Sequence, residues 1–198
     1  MKKIPLMVAV ATMTAMSTQA QSDGYDTKHE LAISYGIDGN SQIIDAFEAV
    51  GSAMVGVSFD NEKYFGPISA EYFYHAKPWL GVGGILAYGK NKQDAMMGHD
   101  KIGESKNSYF TLMPAVKFDW LRKKHFGMYS KVAVGATLRS EKYNSSNNSN
   151  NDYTDSEVHF NWQASLLGIE AGSSTLRGFA ELGTGEQGIV LAGLRYKF

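Results

Sequence analysis

Apolar and polar residues alternate along most of the chain, and the alternation is clearest at its end. Between residues 190 and 198 every second residue is apolar, and a period of two is typical of a strand with two different faces. The length agrees, because about 9–11 tilted residues carry a β-strand across a bilayer. The same period recurs earlier and predicts eight strands in all. They cover residues 29–36, 67–75, 80–90, 109–120, 128–141, 157–169, 175–182 and 188–198.

The connections between these strands are alternately long and short. Residues 37–65, 91–107 and 144–155 are predicted long loops, whereas residues 76–79, 122–125 and 171–174 are predicted short turns. Membrane-spanning barrels have this asymmetry, with short turns on one side of the membrane and long loops on the other. We therefore predict an all-β fold, an eight-stranded antiparallel transmembrane up-and-down β-barrel.

The first long connection contains a pattern with a different period. Apolar side chains recur at helical spacing in residues 41–54, which predicts a short amphipathic helix that Asn40 or Ser41 could cap. The helix either covers the rim of the barrel with its apolar face or lies in the membrane interface, as such helices do. The apolar positions are Ile43, Ile44, Phe47, Val50 and Met54.

Alternation alone does not say which face of the strands is inside, because lipocalins are eight-stranded barrels with an apolar interior. Aromatic residues favour the membrane barrel, since they cluster near both ends of the apolar faces, as two membrane interfaces require. Tyr72 and Phe118 lie near the short turns, and Tyr88 and Phe110 near the long loops. The opposite faces carry charges of both signs, which we expect to pair inside a narrow barrel. These predicted lumen charges are Glu30, Glu71, Lys117, Asp119, Lys131, Arg139, Arg177, Glu181, Arg195 and Lys197.

The first residues have the layout of a secretory signal peptide. Lys2 and Lys3 precede an apolar run, and small residues at Thr18 and Ala20 fit cleavage before Gln21. The run is shorter than the roughly 20 residues that a membrane-spanning helix needs. We therefore predict a signal peptide over residues 1–20 and a single barrel domain over residues 21–198.

Composition excludes several other classes of protein. The chain has no cysteine, which leaves no lipoprotein anchor, disulfide or thiolate site. Its formal net charge is −1, and nothing in the pattern suggests the basic face that nucleic acid would need. We predict neither a cofactor nor a nucleic-acid partner.

Two stretches resemble a known family. NEKYFGPISAEYFYHAKPWLGVGG, residues 61–84, and GLRYKF, residues 193–198, are similar to the small OmpA/OmpX-type outer-membrane barrels, and especially to the Bacteroidetes outer membrane β-barrel or porin family proteins. The resemblance implies location in the outer membrane of a Gram-negative bacterium, with outer-membrane lipid and the barrel-assembly machinery as partners. The terminal aromatic residue of that family is recognised during assembly. The resemblance therefore implies this role for Phe198, together with Tyr196 and Leu194 on the same face.

Three functions are compatible with such a barrel. The first, which we favour, is a non-enzymatic surface protein that acts through its loops. These either bind or adhere to an extracellular ligand or have a structural role in the cell envelope. The second is a small or gated pore, although an eight-stranded barrel is just wide enough to be filled by its own side chains. The third is an enzyme that modifies outer-membrane lipid.

The residues available for catalysis or metal binding are few. His159 shares its face with Asn161 and Ser165, but Ser165 lies about 20 Å away along the strand at about 3.3 Å per residue, too far for a nucleophile and its base. His99 and Asp100 alone supply too few ligands for a metal site. We therefore predict no catalytic residue, no metal ligand and no enzyme activity.

Overall fold

The computed structural model describes residues 27–37, 39, 57–97, 100–145 and 153–198. The predicted signal peptide and the predicted helix over residues 41–54 lie outside these ranges. Among the described residues, no helix is long and apolar enough to cross a membrane. The described residues form β1 (His29–Ile37), β2 (Val57–Lys77), β3 (Leu80–Met97), β4 (Asp100–Arg122), β5 (Phe126–Ser145), β6 (Tyr153–Gly172), β7 (Leu176–Gly185) and β8 (Val190–Lys197).

The strands close into one barrel. Each strand is antiparallel to its neighbours in sequence, and β8 returns to pair with β1. Ile33 of β1, for example, lies opposite Ala70 of β2 on one side and Leu194 of β8 on the other. The prediction of an eight-stranded antiparallel up-and-down barrel is therefore confirmed.

The barrel is apolar on its outer surface and largely polar inside. Ile33 and Leu194 point outward and are 61% and 53% exposed, whereas the side chains of Lys117 and Arg195 are fully buried in the interior. A soluble protein buries residues of the first kind and exposes those of the second. The arrangement suits a barrel surrounded by lipid and is the reverse of a lipocalin.

The predicted long loops are wrong in extent. Most of residues 91–107 continues β3 and β4, which stay paired from Asn91 with Asn107 out to Met97 with Asp100. β5 and β6 likewise pair as far as Tyr143 with Tyr153. Tyr153 to Asp155 therefore belong to a strand, although they lie in the predicted loop over residues 144–155. β2 begins at Val57, well before the predicted start at residue 67. Most residues between 91 and 107 are polar on both faces, so these segments pair as strands without the apolar alternation that reveals a strand.

Two β-bulges change which residues face inward near the short turns. The register shifts after Asp119 on β4 and after Ser165 on β6. Because a bulge adds one residue to a strand, the inward-facing positions beyond it change from odd to even numbers. Arg122 and Glu170 are thereby placed in the interior, where both are buried.

The strands differ greatly in length. β1, β7 and β8 have 9, 10 and 8 residues. β2 to β6 have 21, 18, 23, 20 and 20 residues and extend roughly 30 Å further along the strand direction, at about 3.3 Å per residue. They form a five-stranded projecting sheet at one end of the barrel, which we call the outer end. The opposite end, with the short connections, is the turn end.

Candidate functional site

Two clusters of ion pairs occupy the interior. The cluster nearer the turn end surrounds the carboxylates of Glu30 and Glu170. Lys117 Nζ donates to Glu30 Oε2 at 2.7 Å, and Arg177 Nη1 donates to Glu170 Oε1 at 2.6 Å. Lys197 Nζ donates to Glu170 and lies 2.9 Å from Glu30 Oε1. Each of these side chains is at most 1% exposed, so solvent does not screen the contacts.

The second cluster lies nearer the middle of the barrel. Lys131 Nζ donates to Glu71 Oε1 at 2.5 Å and to Glu181 Oε1 at 3.0 Å. Glu181 also accepts hydrogen bonds from the hydroxyls of Tyr129, at 2.7 Å, and Ser165, at 2.5 Å. Both carboxylates are thus neutralised by a cation and held by further donors, as a buried ionised group requires.

Arg195 contacts both clusters. Its Nη1 donates to Glu170 Oε2 at 2.7 Å, and its Nη2 donates to Glu71 Oε2 at 3.4 Å. Its guanidinium carbon also lies 4.6 Å and 4.3 Å from the ring centroids of Tyr129 and Phe179. These cation–π contacts fill the space beside the ion pairs with apolar side chains. One residue of β8 therefore links the interior charges contributed by β2 and β6.

The turn between β7 and β8 enters the lumen from the outer end. The carboxylate of Glu186 accepts hydrogen bonds from Thr111 Oγ1 at 3.2 Å and from Asn161 Nδ2 at 2.8 Å. Gln187 Nε2 reaches deeper and donates to Glu71 Oε1 at 2.8 Å. Both turn residues are buried, so the turn lies across the lumen above the ion pairs.

The structure places all ten predicted lumen charges inside the barrel, where each is buried. Nine of them belong to or adjoin the two clusters, with Asp119 Oδ2 3.3 Å from His75 Nδ1 at the turn end. Arg139 lies apart, near the outer end. It lines an open cavity of about 130 Å³ with Glu141, Asp155 and Glu157, and its Nη2 is 3.8 Å from Glu141 Oε2.

Among the described residues, four buried charged or histidine side chains do not belong to the predicted set. The inward orientation of Arg122 and Glu170 could not be predicted from alternation, because both residues follow bulges. Glu186 lies in a turn, where side chains do not alternate between two faces. His75 could have been found, since it shares a strand face with Glu71. Its Nε2 lies 2.9 Å from Glu30 Oε1, so it joins the cluster near the turn end.

The residues of the implied assembly signal lie on the outer surface at the seam between β8 and β1. Leu194, Tyr196 and Phe198 are 53%, 50% and 49% exposed. The backbone N–H groups of Phe198 and His29 each donate to the other residue's carbonyl at 2.9 Å. The two rings stack with centroids 5.3 Å apart. The terminal residue is therefore part of the closed barrel wall.

Two of the three residues weighed for catalysis, namely Asn161 and Ser165, take part in other hydrogen bonds. Asn161 Nδ2 donates to Thr137 Oγ1 at 2.9 Å as well as to Glu186, and Ser165 donates to Glu181. Both side chains are thus committed to the hydrogen-bond network of the lumen. His99 lies outside the described residues, within which no group of three or more His, Cys, Asp or Glu could hold a metal ion.

The projecting sheet has polar side chains on both faces. Its inward side carries Asn91, Gln93, Ser105 and Asn107, all buried. Its outward side carries the ion pairs of Glu104 with Lys92, at 2.7 Å, and with Lys106, at 2.6 Å. A surface so rich in charged and polar side chains is unsuited to contact with hydrocarbon.

Comparison with known proteins shows a similarity in fold. No protein-family model and no curated protein matches the chain. In fold, the chain is a closed barrel of eight antiparallel strands. Among solved structures it is similar to Ail, the attachment invasion locus protein of Yersinia pestis, with 13% identity, a TM-score of 0.46 and coverage of 87% of this chain and 99% of that one.

A second structure of Ail, in complex with the heparin analogue sucrose octasulfate, is similar at 15% identity and a TM-score of 0.47. It covers 86% of this chain and 99% of the other.

Proposed function

We propose that this protein is a barrel of the Gram-negative outer membrane that binds an extracellular partner through its projecting sheet, without transport or catalysis. The difference in strand length carries the proposal. About 9–11 residues per strand suffice to cross a bilayer, and β1, β7 and β8 have about that number. β2 to β6 have 18 to 23 residues, and the excess stands beyond the membrane.

We place the partner at the edge of β6. Among the described residues, β6 pairs with β7 only from Gln163 to Gly172, so the segment from Thr154 to Phe160 pairs with β5 alone. An exposed strand edge presents N–H and C=O groups to which an extended segment of another protein can add as a further strand. The outermost residues of this segment, Asp155 to Glu157, are exposed and lie beyond the apolar Val158 and Phe160, so a partner outside the membrane can reach them.

The filled lumen favours surface binding over transport. Eight-stranded barrels are just wide enough to be packed by side chains, and here Arg195, Lys131 and Gln187 are at most 1% exposed in the interior. A steady ion path would require ion pairs without access to water to separate, which is strongly unfavourable. The same packing leaves no substrate cleft at the middle of the described barrel.

The test shortens the sheet at the β6 edge and leaves the barrel intact. Arg139 and Glu157 are in register, so replacing residues 139–157 with Asn-Gly joins Leu138 to Val158 by a two-residue turn. In the matched control, Asn-Gly replaces residues 91–107 and joins Lys90 to Ser108, which shortens the sheet elsewhere. Folding of each variant is checked by gel mobility with and without heating.

The readout is adherence of cells that display each barrel to immobilised collagen, fibronectin and laminin. We expect adherence to at least one of these proteins, loss of it in the variant shortened at β5 and β6, and retention in the control. Equal adherence of both folded variants and the full barrel would contradict the proposal. So would a full barrel that binds none of the three proteins and conducts ions steadily.

A further inference from the structure

The outward surface of β3 to β6 changes character in three rows of residues that are in register across the strands. The first row is apolar and consists of Tyr88, Phe110, Leu138 and Val158. The second row, two residues further out, consists of Lys90, Ser108, Ser140 and Ser156. The third row consists of Lys92, Lys106, Lys142 and Thr154. We call these the apolar row, the serine row and the lysine row.

The spacing of the rows matches the layers of a membrane interface. Successive rows are separated by about 7 Å along the strand, so the lysine row lies roughly 13 Å beyond the apolar row. Because strands of a closed barrel tilt by about 35–45°, the distance along the membrane normal is nearer 10 Å. Polar headgroups occupy the first several ångströms outside the hydrocarbon. The serine row therefore lies at the depth of the lipid headgroups, and the lysine row lies at their outer boundary.

The lysine row places three like charges side by side on neighbouring strands. Lys106 lies directly opposite Lys92 on β3 and Lys142 on β5, and like charges in opposite positions are destabilising. Glu104 and Asp94 lie on the same outward face, and Glu104 Oε2 and Oε1 are 2.7 Å and 2.6 Å from the ammonium groups of Lys92 and Lys106.

Glu104 shows that this surface stabilises negative charge. It lies six residues beyond Phe110 on β4, outside the membrane-spanning part of the strand. Hydrogen bonds from Lys106 and Lys92 hold the pKa of its carboxyl below the usual value. The surface thus stabilises an anion between two lysines, while the side chains of Lys90 and Lys142 remain exposed on either side.

We propose that the serine row and the lysine row bind the phosphate groups of a phosphorylated glycolipid in the outer leaflet. Lys90 and Lys142 supply charge to the phosphates, and the hydroxyls of Ser108, Ser140 and Ser156 donate to ester and sugar oxygens. A phosphate presents several acceptor oxygens with up to two negative charges, which suits several lysines better than one carboxylate does. This proposal rests on the outer-membrane location proposed above, and it uses outward side chains of β3 to β6, whereas the protein partner is proposed to pair with the backbone edge of β6.

A lipid fits the position better than a soluble polyanion. The three rows lie on the surface that faces away from the lumen, and the apolar row continues directly into the serine row on the same strands. A lipid whose chains pack on the apolar row already holds its headgroup beside the serine row and the lysine row. Binding of the headgroup therefore costs little additional translational entropy. A soluble anion would have to be captured from the medium by exposed lysines, which bind weakly one at a time.

The experiment titrates the folded full barrel, in neutral detergent, with purified bisphosphorylated lipid A and follows binding by calorimetry. The variant Lys90→Gln/Lys142→Gln removes two charges and leaves both partners of Glu104 in place. The matched control, Lys123→Gln/Lys124→Gln, removes the same charge at the turn end. We expect the Kd of the first variant to rise about tenfold or more, since each lysine near an anionic surface contributes substantially to binding. The control should bind as the unmodified barrel does.

Several results would overturn the proposal. One is an equal loss in both double variants, because binding would then follow net charge. Another is equal affinity for lipid A from which both phosphates have been removed. A third is binding of sulfated dextran or inorganic phosphate as tight as that of lipid A, which would make the surface a site for soluble anions. The charge-preserving variant Lys90→Arg/Lys142→Arg should retain binding, and failure of this folded variant would also contradict a phosphate site.

Discussion

Gln187 Nε2 donates a hydrogen bond to Glu71 Oε1 at 2.8 Å, which joins a turn at the outer end to the ion pairs in the middle of the lumen. The approach is possible because Gly36 on β1 has no side chain. A Cβ added there would lie 1.7 Å from the carbonyl oxygen of Gln187. The position of this turn therefore depends on a glycine of β1, the strand that pairs with β8.

The first prediction concerns conductance. The unmodified barrel should show no steady current in a planar bilayer, because the turn and the ion pairs fill the lumen. Gly36→Ala should displace the turn and produce measurable channel openings. The control is Gly178→Ala, where an added Cβ would have no atom closer than 4.0 Å and the current should stay absent. A folded Gly36→Ala barrel without current, or steady current in the unmodified barrel, would contradict this account.

The second prediction concerns the ion pairs. Lys131→Met leaves the carboxylates of Glu71 and Glu181 without the ammonium that lies 2.5 Å and 2.9 Å from them. The free energy of unfolding should fall by about 3–5 kcal/mol, because a buried charge loses its partner. Adding Glu181→Gln should recover part of this loss, as expected for residues that interact directly.

Urea unfolding in neutral detergent, followed by tryptophan fluorescence, measures both effects. Lys142→Met on the outward face of the same strand is the control and should change stability by no more than about 0.5 kcal/mol. If Lys131→Met and Lys142→Met have the same small effect, the interior ion pairs do not hold the barrel together.

Alternation in the sequence was enough to predict the barrel and ten of its buried charges, but only where each strand stays regular. Arg195 and Lys197 follow the odd-numbered positions of β8 without interruption, so their inward orientation can be read directly. Glu170 cannot be read in this way, because the bulge after Ser165 reverses the order of faces. A bulge depends on pairing with the neighbouring strand, which the pattern of a single strand does not contain.

The projecting sheet and the turn at Gln187 could not be predicted for a different reason. Hydrophobic periodicity reports where one face meets lipid or a core, and the outer halves of β3 and β4 meet neither. Their serines, asparagines and lysines are therefore typical of a loop by composition, although the backbone continues to pair. The entry of Gln187 into the lumen depends on the empty space above Gly36, a contact between distant parts of the chain.

The third prediction concerns the titration of Glu104. A carboxyl whose pKa is lowered in the folded protein contributes stability at neutral pH, and that contribution is lost as the pH falls through the lowered pKa. The midpoint of Glu104, followed by carbon NMR of the labelled carboxyl, should lie below the usual value of about 4.3. Lys92→Gln/Lys106→Gln should raise the midpoint towards that value, because these lysines donate the hydrogen bonds that lower it. A midpoint that does not move in this variant would show that the two ion pairs do not form in solution.

The last prediction separates recognition of the terminal residue from its packing. Phe198 is held to His29 by two backbone hydrogen bonds of 2.9 Å and by stacked rings. His29→Ala removes the stacked ring but leaves the aromatic terminus, so the barrel should assemble in the outer membrane and lose only about 0.5–1.5 kcal/mol of stability. Deletion of Phe198 should instead leave unassembled protein in the periplasm, because the implied assembly signal is gone. Cell fractionation and heat-dependent gel mobility distinguish the two outcomes. If both variants assemble and differ only slightly in stability, Phe198 contributes to the seam by packing and pairing, and its implied role as an assembly signal is wrong.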